Sequence, residues 1–323
     1  MLLAGDLGGT KTLLGLFERG ERRPRPLVSR VYPTQGFDRF SAILEAFAHD
    51  VGERLVVEAA AIGVAGPIVD QHARVTNIGW EVSASEIGAH LNAKRVALLN
   101  DLEAMANSVA VLEGDEIVAL QRGEPKASGN AAVIAAGTGL GQAYLHRVQG
   151  RLVPVPSEAG HADFAARTDR EFELVRMLRE MYGRAEVEQV LSGPGLVNIH
   201  RLTHAGKSCA PVEGVESAET PAAISERALA RQCRQCEEAL EIFVEAYGAE
   251  AGNLGLRGVA TAGVFVGGGI APKILPALQN GRFMHAFRAK APMADLVAVM
   301  PVSVIVKEDA GLLGAAVAAQ ELA

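Results

Sequence analysis

One short pattern occurs twice in this sequence, and it constrains the fold more than any other feature. An apolar run of strand length, a glycine-rich turn and a second apolar run cover residues 2–17 and again residues 131–145. Apolar runs joined by so short a turn predict antiparallel hairpins. Glycine has no Cβ, so the backbone N–H groups of such a turn can approach a bulky anion closely. The sequence therefore predicts two glycine hairpins, separated by more than 100 residues, that could hold a polyphosphate from two sides.

The first hairpin carries polar side chains as well as glycines. Gly8 and Gly9 form the turn, Thr10 adds a hydroxyl donor and Lys11 adds a positive charge. Asp6, at the end of the first strand, cannot attract a phosphate, but it can hold the metal ion that accompanies one. A plain hairpin with a tight turn is the alternative for the glycines alone, and it explains Asp6 and Thr10 less well.

The second hairpin argues against two common nucleotide sites. Its turn, residues 137–141, reads GTGLG, which misses the dinucleotide pattern G-x-G-x-x-G and is followed by a strand rather than a helix. No stretch of the sequence reads G-x-x-x-x-G-K-[ST], so a P-loop is excluded. With a dinucleotide site disfavoured and a P-loop excluded, the remaining interpretation is that the two hairpins bind a polyphosphate.

Residues 96–101 place an amide and a carboxylate side by side at the end of an apolar run. Such a run predicts a covered strand of an α/β sheet, and ligands of these sheets gather at the carboxyl ends of the strands. Helix-forming residues follow at 102–107, so Asp101 lies near a helix N-terminus, which favours an ionised carboxylate. Asp101 is thus a candidate general base. The alternative is that Asn100 or Asp101 only caps the helix, because both residue types are preferred caps.

Glu158 and His161 lie three residues apart around a glycine. Together a carboxylate and an imidazole can accept and donate hydrogen bonds to neighbouring hydroxyls, as a sugar requires. A surface loop of mixed charge is the alternative, and a zinc site is disfavoured because the nearest cysteine in the sequence is Cys209. Residues 187–191 are expected to end a helix, on which Glu188 is interpreted as a solvated charge, since nothing in the nearby sequence indicates another role.

The later half of the chain adds a third glycine-rich stretch. A buried strand leads into Gly267, Gly268 and Gly269, and Pro272 is expected to mark the start of a helix. Three consecutive glycines suit a flat ring, such as adenine, lying against the backbone.

The cysteines are expected to play no special role. Cys209, Cys233 and Cys236 are an odd number, which argues against a disulfide framework. The last two have C-x-x-C spacing, but helical periodicity over residues 225–244 predicts that they lie inside one long helix, which ends near residues 252–254. A metal or redox role is therefore the weaker interpretation.

Composition narrows the class of protein. The chain has 323 residues and a formal net charge of −7, with no Lys/Arg cluster, so binding to nucleic acid is disfavoured. No apolar run approaches the roughly 20 residues that span a membrane, and the first residues lack the pattern of a signal peptide. Alternating strands and helices predict an α/β protein, expected in the cytoplasm.

The order of motifs resembles the bacterial glucokinase family of the actin-like ATPase (hexokinase) superfamily. The resemblance rests on residues 6–10 (DLGGT), 99–101 (LND), 136–141 (AGTGLG), 158–164 (EAGHADF), 191–198 (LSGPGLVN) and 267–270 (GGGI), and it continues to residues 311–314. It implies a two-lobed, ribonuclease-H-like ATPase fold with the active site in the interdomain cleft. The implied small domain covers residues 1–108, completed by a C-terminal helix at about 307–323, and the large domain covers residues 109–306.

The resemblance also implies a reaction, transfer of the γ-phosphoryl group of ATP to the 6-hydroxyl of glucose with Mg²⁺. By it, Asp101 is the catalytic base, and the residues that bind sugar hydroxyls are Asn100, Asp101, Glu158, His161 and Glu188. The implied phosphate and adenosine loops are Gly5, Asp6, Leu7, Gly8, Gly9 and Thr10, then Gly137, Thr138 and Gly139, then Gly267, Gly268 and Gly269. Asp6 would hold Mg²⁺, directly or through water.

The sequence departs from related proteins at two points. Lys11 stands where many members of the family carry Asn. The cysteine cluster that follows Glu-x-Gly-His in the related repressor-and-kinase sugar proteins is missing, which argues against their structural zinc.

Other functions on the same scaffold remain alternatives. A broader hexose or mannose kinase would share every motif. A sugar-sensing regulator would bind glucose without turnover, but it would leave Asp101 without a role, and no helix-turn-helix precedes the first strand. An actin-like filament would leave Asn100, Glu158 and His161 unexplained. The expected partners are glucose and ATP, without nucleic acid or membrane, and the resemblance implies a homodimer.

Overall fold

Two mixed β-sheets organise the protein, and each contains one of the two predicted hairpins. The computed structural model describes residues 1–52, 56–75, 78–205, 209 and 219–323. The strands are β1 (Leu2–Leu7), β2 (Lys11–Glu18), β3 (Arg25–Pro33), β4 (Ala59–Val64), β5 (Ile68–Val69), β6 (His72–Arg74), β7 (Glu81–Ser83), β8 (Arg95–Asn100), β9 (Ile117–Gln121), β10 (Ala131–Ala136), β11 (Leu140–Val148), β12 (Arg151–Ser157), β13 (Gly263–Gly267) and β14 (Val302–Ile305).

The helices lie between and after these strands. They are α1 (Phe40–Val51), α2 (Ala84–Leu91), α3 (Asp101–Ser108), α4 (Asp169–Tyr182), α5 (Gly193–Thr203), α6 (Pro221–Leu229), α7 (Arg234–Gly258), α8 (Leu275–Leu278), α9 (Arg282–Arg288), α10 (Ala294–Ala298) and α11 (Ala310–Leu322). Across the described ranges, no helix combines the length and the apolar character that a membrane span requires.

The chain divides into two compact units. The first consists of Met1–Gly114, Leu152–Pro156 and Lys307–Ala323, and the second of Asp115–Arg151 and Ser157–Val306.

The sheet of the first unit has the strand order β3-β2-β1-β4-β8. β1 runs antiparallel to β2 and parallel to β4, which in turn runs parallel to β8. All six residues of β4 are buried, as expected for a covered strand with the sequence AAAIGV. Because β1, β4 and β8 are parallel, their carboxyl ends, which lead to Asp6 and Asp101, lie at the same edge of the sheet.

Helix α11 completes the first unit although it comes last in the chain. It packs against β1 and α3, and its buried face consists mainly of alanine and glycine. A Cβ at Gly314 would overlap the carbonyl oxygen of Ala104 in α3, so only glycine allows the two helix backbones to approach this closely.

The sheet of the second unit has the order β12-β11-β10-β13-β14-β9. β10 runs antiparallel to β11 and parallel to β13, so the predicted second hairpin is confirmed. Helix α7 packs on this sheet and buries Phe243 and Tyr247 completely in the core.

The prediction of one continuous helix over residues 225–244 is wrong, because two separate helices, α6 and α7, lie in this range. Helix α6 ends at Leu229 and α7 begins at Arg234. Arg231, between them, has a φ of +56°, a left-handed conformation that stops a helix. Cys233 therefore caps α7 instead of lying inside a helix.

Helix α7 also continues past the predicted end at residues 252–254, to Gly258. A Cβ at Gly248 would overlap the carbonyl oxygen of Phe283, and one at Gly252 would lie 2.6 Å from that of Phe287. These glycines let α9 pack directly on the backbone of α7, so they do not mark a helix end. The start predicted at Pro272 is likewise wrong, since α8 begins at Leu275 after a series of turns.

Candidate functional site

The first glycine turn is held in place by a threonine from outside the hairpin. The N–H of Gly8 donates to the carbonyl of Lys11 at 3.1 Å and closes the turn. Thr34 Oγ1 donates to the carbonyl of Gly8 at 2.8 Å and lies 2.8 Å from Thr12 Oγ1. Thr34 was not predicted, because nothing near it in the sequence links it to a turn 26 residues earlier.

Asp6 is the fifth residue of β1, at the edge of the sheet next to this turn. Its pKa is raised to about 6, mainly by burial and in addition by the negative charge of Asp101, while the positive charge of Lys11 opposes the shift. Gly311, in the first turn of α11, faces the carboxylate, and a Cβ there would lie 2.9 Å from Asp6 Oδ2. The first unit therefore holds two carboxylates close enough to repel each other.

Asn100 ends β8 and Asp101 begins α3, as the sequence predicts. Asn100 Oδ1 and Asp101 Oδ1 both accept from the N–H of Leu102, at 3.0 and 2.9 Å, so both residues cap the helix. Asn100 Nδ2 also donates to the carbonyl of Gly66 at 3.2 Å, which fixes the amide against the loop after β4. Asp101 is nevertheless exposed, so the capping role and the role of a base are compatible.

A glycine in β4 allows the two carboxylates to approach. Gly63 pairs with Asp6 on one side and with Leu99 on the other. A Cβ at Gly63 would lie 2.8 Å from the Cβ of Ala104 and 3.8 Å from the Cα of Asp101. Any larger residue would push α3, and Asp101 with it, away from the sheet.

The second glycine turn is closed by its own backbone and by Glu188. The N–H of Gly137 donates to the carbonyl of Gly139 at 2.8 Å, and the N–H of Gly193 donates to the carbonyl of Gly137 at 2.8 Å. Glu188 Oε2 accepts from the N–H of Leu140 at 2.8 Å. Glu188 lies in a turn and not at the end of a helix, so the predicted helix over residues 187–191 is wrong.

Glu158 and His161 flank a single 3₁₀ turn directly after β12. The N–H of His161 donates to the carbonyl of Glu158 at 3.0 Å, and both side chains are exposed. His161 Nδ1 lies 3.5 Å from Glu186 Oε2. The ligand atoms of His161, Glu186 and Glu188 lie within 4.8 Å of one another, so the structure brings two predicted residues together with Glu186, which was not predicted.

A cavity of about 460 Å³ opens beside the second glycine turn, entirely within the second unit. Four segments form its wall: the turn at Gly137 and Thr138, the N-termini of α5 and α6, and the loop after β13. This volume lies in the range of small-molecule and cofactor sites. The lining residues are Gly137, Thr138, Gly193, Pro194, Leu196, Thr220, Pro221, Ala222, Ser225, Gly269, Ile270, Lys273 and Ile274.

Of the three glycines predicted to face a flat ring, Gly269 lines the cavity. Gly267 ends β13, and Gly268 has a φ of +83° with no room for a Cβ against the backbone of Ala136. Gly268 is thus required by the turn itself. Thr220 and Ser225 were not predicted, because α6 shows no ligand-binding pattern in its sequence.

Tyr247, from α7, joins the two strands that lead into these glycine loops. Its hydroxyl accepts from the N–H of Ala136 at 3.1 Å and lies 3.3 Å from the carbonyl oxygens of Ile134 and Gly267. The side chain is completely buried, and burial raises its pKa. One buried hydroxyl therefore ties the end of β10 to the end of β13.

Comparisons with known proteins agree on one family. A sequence profile of the family described as Glucokinase matches residues 3–322. A protein of Nostoc punctiforme named Glucokinase is 35% identical over 340 residues, which cover 100% of this chain and 99% of the relative.

Solved structures show the same likeness. A crystal structure of glucokinase from an Antarctic psychrotroph superposes with a TM-score of 0.88 at 28% identity, over 99% of this chain and 98% of the other. A ROK family glucokinase from Streptomyces griseus, in complex with glucose and AMPPNP, superposes with a TM-score of 0.64 at 21% identity, over 99% of both chains. At that identity the second likeness shows a shared fold alone.

Proposed function

Because the chain belongs to the glucokinase family, we propose that it transfers the γ-phosphoryl group of ATP to the 6-hydroxyl of glucose. The observation that carries the proposal is the exposed carboxylate of Asp101 at the N-terminus of α3, beside Asp6 and a glycine turn. Phosphoryl transfer requires a base, a place for the phosphates and compensation of their charge. Asp101 would be the base, the glycine turn would hold the phosphates, and Asp6 would hold a cation that compensates their charge.

Asp101 is the proposed catalytic base. A sugar hydroxyl has a high pKa and is a poor nucleophile, so a carboxylate that accepts its proton as the bond to phosphorus forms accelerates the reaction. The backbone N–H of Leu102 donates to Asp101 Oδ1, and the helix N-terminus favours the ionised form, which is the form a base needs. The second carboxylate oxygen can accept the proton.

The residues around Asp6 suit a Mg²⁺ ion. Asp6 offers a carboxylate, a preferred ligand of this cation, either directly or through water. The repulsion between Asp6 and Asp101, which adds to the effect of burial on the pKa of Asp6, supports the proposal of a cation at this edge of the sheet. Mg²⁺, when bound, neutralises charge on the phosphate oxygens.

We assign the nucleotide to the glycine loops. The backbone of Gly5, Leu7, Gly8, Gly9 and Thr10 would contact phosphate oxygens in the first unit, and that of Gly137, Thr138 and Gly139 would do so in the second. The cavity of the second unit suits the adenosine, with Gly269 and Ile270 on its wall and Gly267 and Gly268 shaping the loop. Lys273, also on the wall, is a cation suited to the nucleotide's negative charge.

We assign the sugar hydroxyls to Asn100, Asp101, Glu158, His161 and Glu188. Asn100 and Glu188 each also make a structural hydrogen bond, to Gly66 and Leu140, which fixes the side chain in one orientation. A side chain already held in place loses less conformational entropy when a sugar binds.

The experiment is a coupled assay for ADP and sugar phosphate, with ATP and glucose as substrates and mannose as the matched competitor. Glucose is expected to have the higher kcat/KM. Preference for mannose would change the substrate assignment to a broader hexose kinase. Glucose binding without turnover would favour a sugar sensor, and ATP hydrolysis without sugar would favour a filament-forming ATPase.

The proposed compartment is the cytoplasm, where ATP is available, and the proposed assembly is a homodimer. Light scattering from the purified chain would test the assembly, since a mass equal to that of a single chain at working concentration would contradict it.

A further inference from the structure

The three cysteines of the chain lie close to two histidines, His200 and His204, in the second unit. Cys209 Sγ lies 3.4 Å from Cys236 Sγ and 4.0 Å from Cys233 Sγ. His204 Nε2 lies 3.2 Å from Cys209 Sγ and 3.4 Å from Cys233 Sγ. His200 Nε2 lies 3.2 Å from Cys209 Sγ.

These separations match the edges of a zinc tetrahedron. With Zn–S bonds of about 2.3 Å and Zn–N bonds of about 2.05 Å, ligand atoms lie about 3.8 Å apart for S···S and about 3.5 Å apart for S···N. A disulfide requires an S–S distance of about 2.05 Å, so at 3.4 and 4.0 Å from its neighbours the sulfur of Cys209 forms no disulfide with either. Four soft or borderline ligands arranged in this way favour Zn²⁺ over Mg²⁺ or Ca²⁺.

His204 is oriented as a metal ligand. Its Nδ1 lies 3.0 Å from the carbonyl oxygen of His200 and can donate to it, which leaves Nε2 unprotonated and facing Cys209 and Cys233. A second-shell hydrogen bond of this type usually fixes the tautomer of a zinc-bound histidine.

His200 is placed differently. Its ring stacks on that of His204, with centroids 3.7 Å apart, and its Nδ1 has no hydrogen-bond partner among the residues that the structure describes. Because no group fixes the tautomer of His200, it suits an outer role, donating from Nε2 to the sulfur of Cys209.

The cysteine pair of α7 is positioned by the helix start. Cys233 is the N-cap residue of α7, and its sulfur lies 3.4 Å from His204 Nε2. Cys236 lies in the first turn and is completely buried. The C-x-x-C spacing at a helix N-terminus thus directs both sulfurs to the same point.

We propose that Cys209, Cys233, Cys236 and His204 bind one structural Zn²⁺ ion, with His200 in the second shell. Four protein ligands close the coordination sphere, as in structural rather than catalytic zinc sites. The ion joins the C-terminal end of α5 to the N-terminal end of α7. The opposite end of α5 lines the nucleotide cavity, so the zinc holds one wall of that cavity in place.

The first experiment uses the unmodified chain. The protein, purified without a histidine tag or added metal, is analysed by inductively coupled plasma mass spectrometry, and one zinc per chain is expected. Replacement by Co²⁺ should give the visible absorption of a tetrahedral thiolate site. A thiol reagent should modify all three cysteines quickly only after a chelator has removed the metal. A metal-free protein that binds neither added Zn²⁺ nor Co²⁺ would overturn the proposal.

Variants assign the ligands. Cys209→Ser and His204→Ala should be purified without zinc, while His200→Gln should keep one zinc per chain and lose it about 10- to 100-fold more readily to a chelator, as second-shell changes do. His285→Gln, outside the cluster, is the control and should match the unmodified protein. Full zinc in His204→Ala would overturn the ligand set. Because metal content is measured directly, it does not depend on the proposed kinase activity.

Discussion

The two glycine hairpins share a backbone design and differ in one side chain. β1 and β10 have the same burial pattern, in which the fifth of six residues is the only one partly exposed. Each strand pairs antiparallel with the next strand and parallel with a later one. At the fifth position the first hairpin has Asp6, with Asp101 close by, and the second has Ala135.

The difference suggests that both hairpins bind phosphate, whereas only the first takes part in phosphoryl transfer. Backbone N–H groups of a glycine turn can hold an anion in either hairpin. The carboxylates that we propose as base and metal ligand accompany the first turn, whereas the carboxylate at the second turn, Glu188, accepts a hydrogen bond from the turn's own backbone. Changes near the first hairpin should therefore affect kcat, and changes near the second should mainly affect KM.

The largest effect is expected for Asp101→Asn, which keeps the shape of the side chain and removes the base. At saturating glucose, kcat should fall by at least about 10²-fold while ATP binding changes little. Asp169→Asn is the control, because Asp169 is likewise the exposed first residue of a helix, α4. If the variant kept a kcat above about a tenth of the unmodified value, Asp101 would not be the catalytic base and its role would be that of a helix cap.

Asp6→Asn should lower kcat and also stabilise the protein at neutral pH in the absence of Mg²⁺ and ATP. A rise in the pKa of Asp6 from 3.8 to about 6 means that ionisation of this carboxyl lowers the free energy of unfolding by about 3 kcal/mol. The carboxyl of Asp6 favours the folded state most below about pH 4, and this contribution is lost as the pH rises to about 6.

The stability difference between Asp6→Asn and the unmodified protein should thus be largest above pH 6 and disappear near pH 4. Urea denaturation at several pH values measures it. Ala135→Asn changes the matching position of the second hairpin and should show no such pH dependence. A constant difference for Asp6→Asn would mean that its charge is not destabilising.

Tyr247→Phe should affect the second hairpin, because the Tyr247 hydroxyl accepts a hydrogen bond from Ala136 at the end of β10. The variant leaves the buried N–H of Ala136 without the hydroxyl, which typically costs about 1–3 kcal/mol of stability, and KM for ATP should rise several-fold. Tyr32→Phe, which removes a hydroxyl bonded to Asp50 in the first unit, is the control and should leave KM for ATP unchanged. If KM for ATP were unchanged in both variants, Tyr247 would have no role in nucleotide binding.

An effect on sugar binding with little effect on kcat is expected for Glu158→Gln and His161→Gln. Both should raise KM for glucose about 10-fold with a much smaller change in kcat, because bonds to non-reacting hydroxyls form before the transition state. Glu180→Gln, an exposed change on α4, is the control. If neither variant changed KM for glucose, the sugar assignment of these two residues would be wrong.

Local features of the sequence were sufficient for much of the fold. The hairpins, the strand that ends at Asn100, and α11 follow from apolar runs and glycine turns, because these signals act between neighbours in the chain. The break between α6 and α7 was missed because no glycine or proline marks Arg231. The glycines of α7 were misread because their cause, the backbone of α9, lies about 35 residues away.

The candidate site divides in the same way. Asp6, Asp101 and the glycine loops were predictable from local motifs, whereas Thr34, Glu186 and Tyr247 act through partners that only the folded chain brings near. The gathering of the three cysteines with two histidines was not predicted, because these residues come from different parts of residues 200–236 and the last two cysteines were placed inside a helix. The sequence signal that could have indicated this cluster is the C-x-x-C pair at Cys233 and Cys236, preceded by two histidines and a third cysteine within residues 200–209.

The position of α11 has a consequence for the order of folding during synthesis. This helix covers β1 and packs on α3 through Gly314, yet the ribosome makes it only after the entire second unit. Until then, the apolar face of the first sheet is uncovered, whereas most of the second unit is continuous in sequence and can fold as it emerges. The nascent first unit is therefore the part that needs protection from aggregation, and a ribosome that stalls before residue 307 would release a chain whose first sheet cannot be completed.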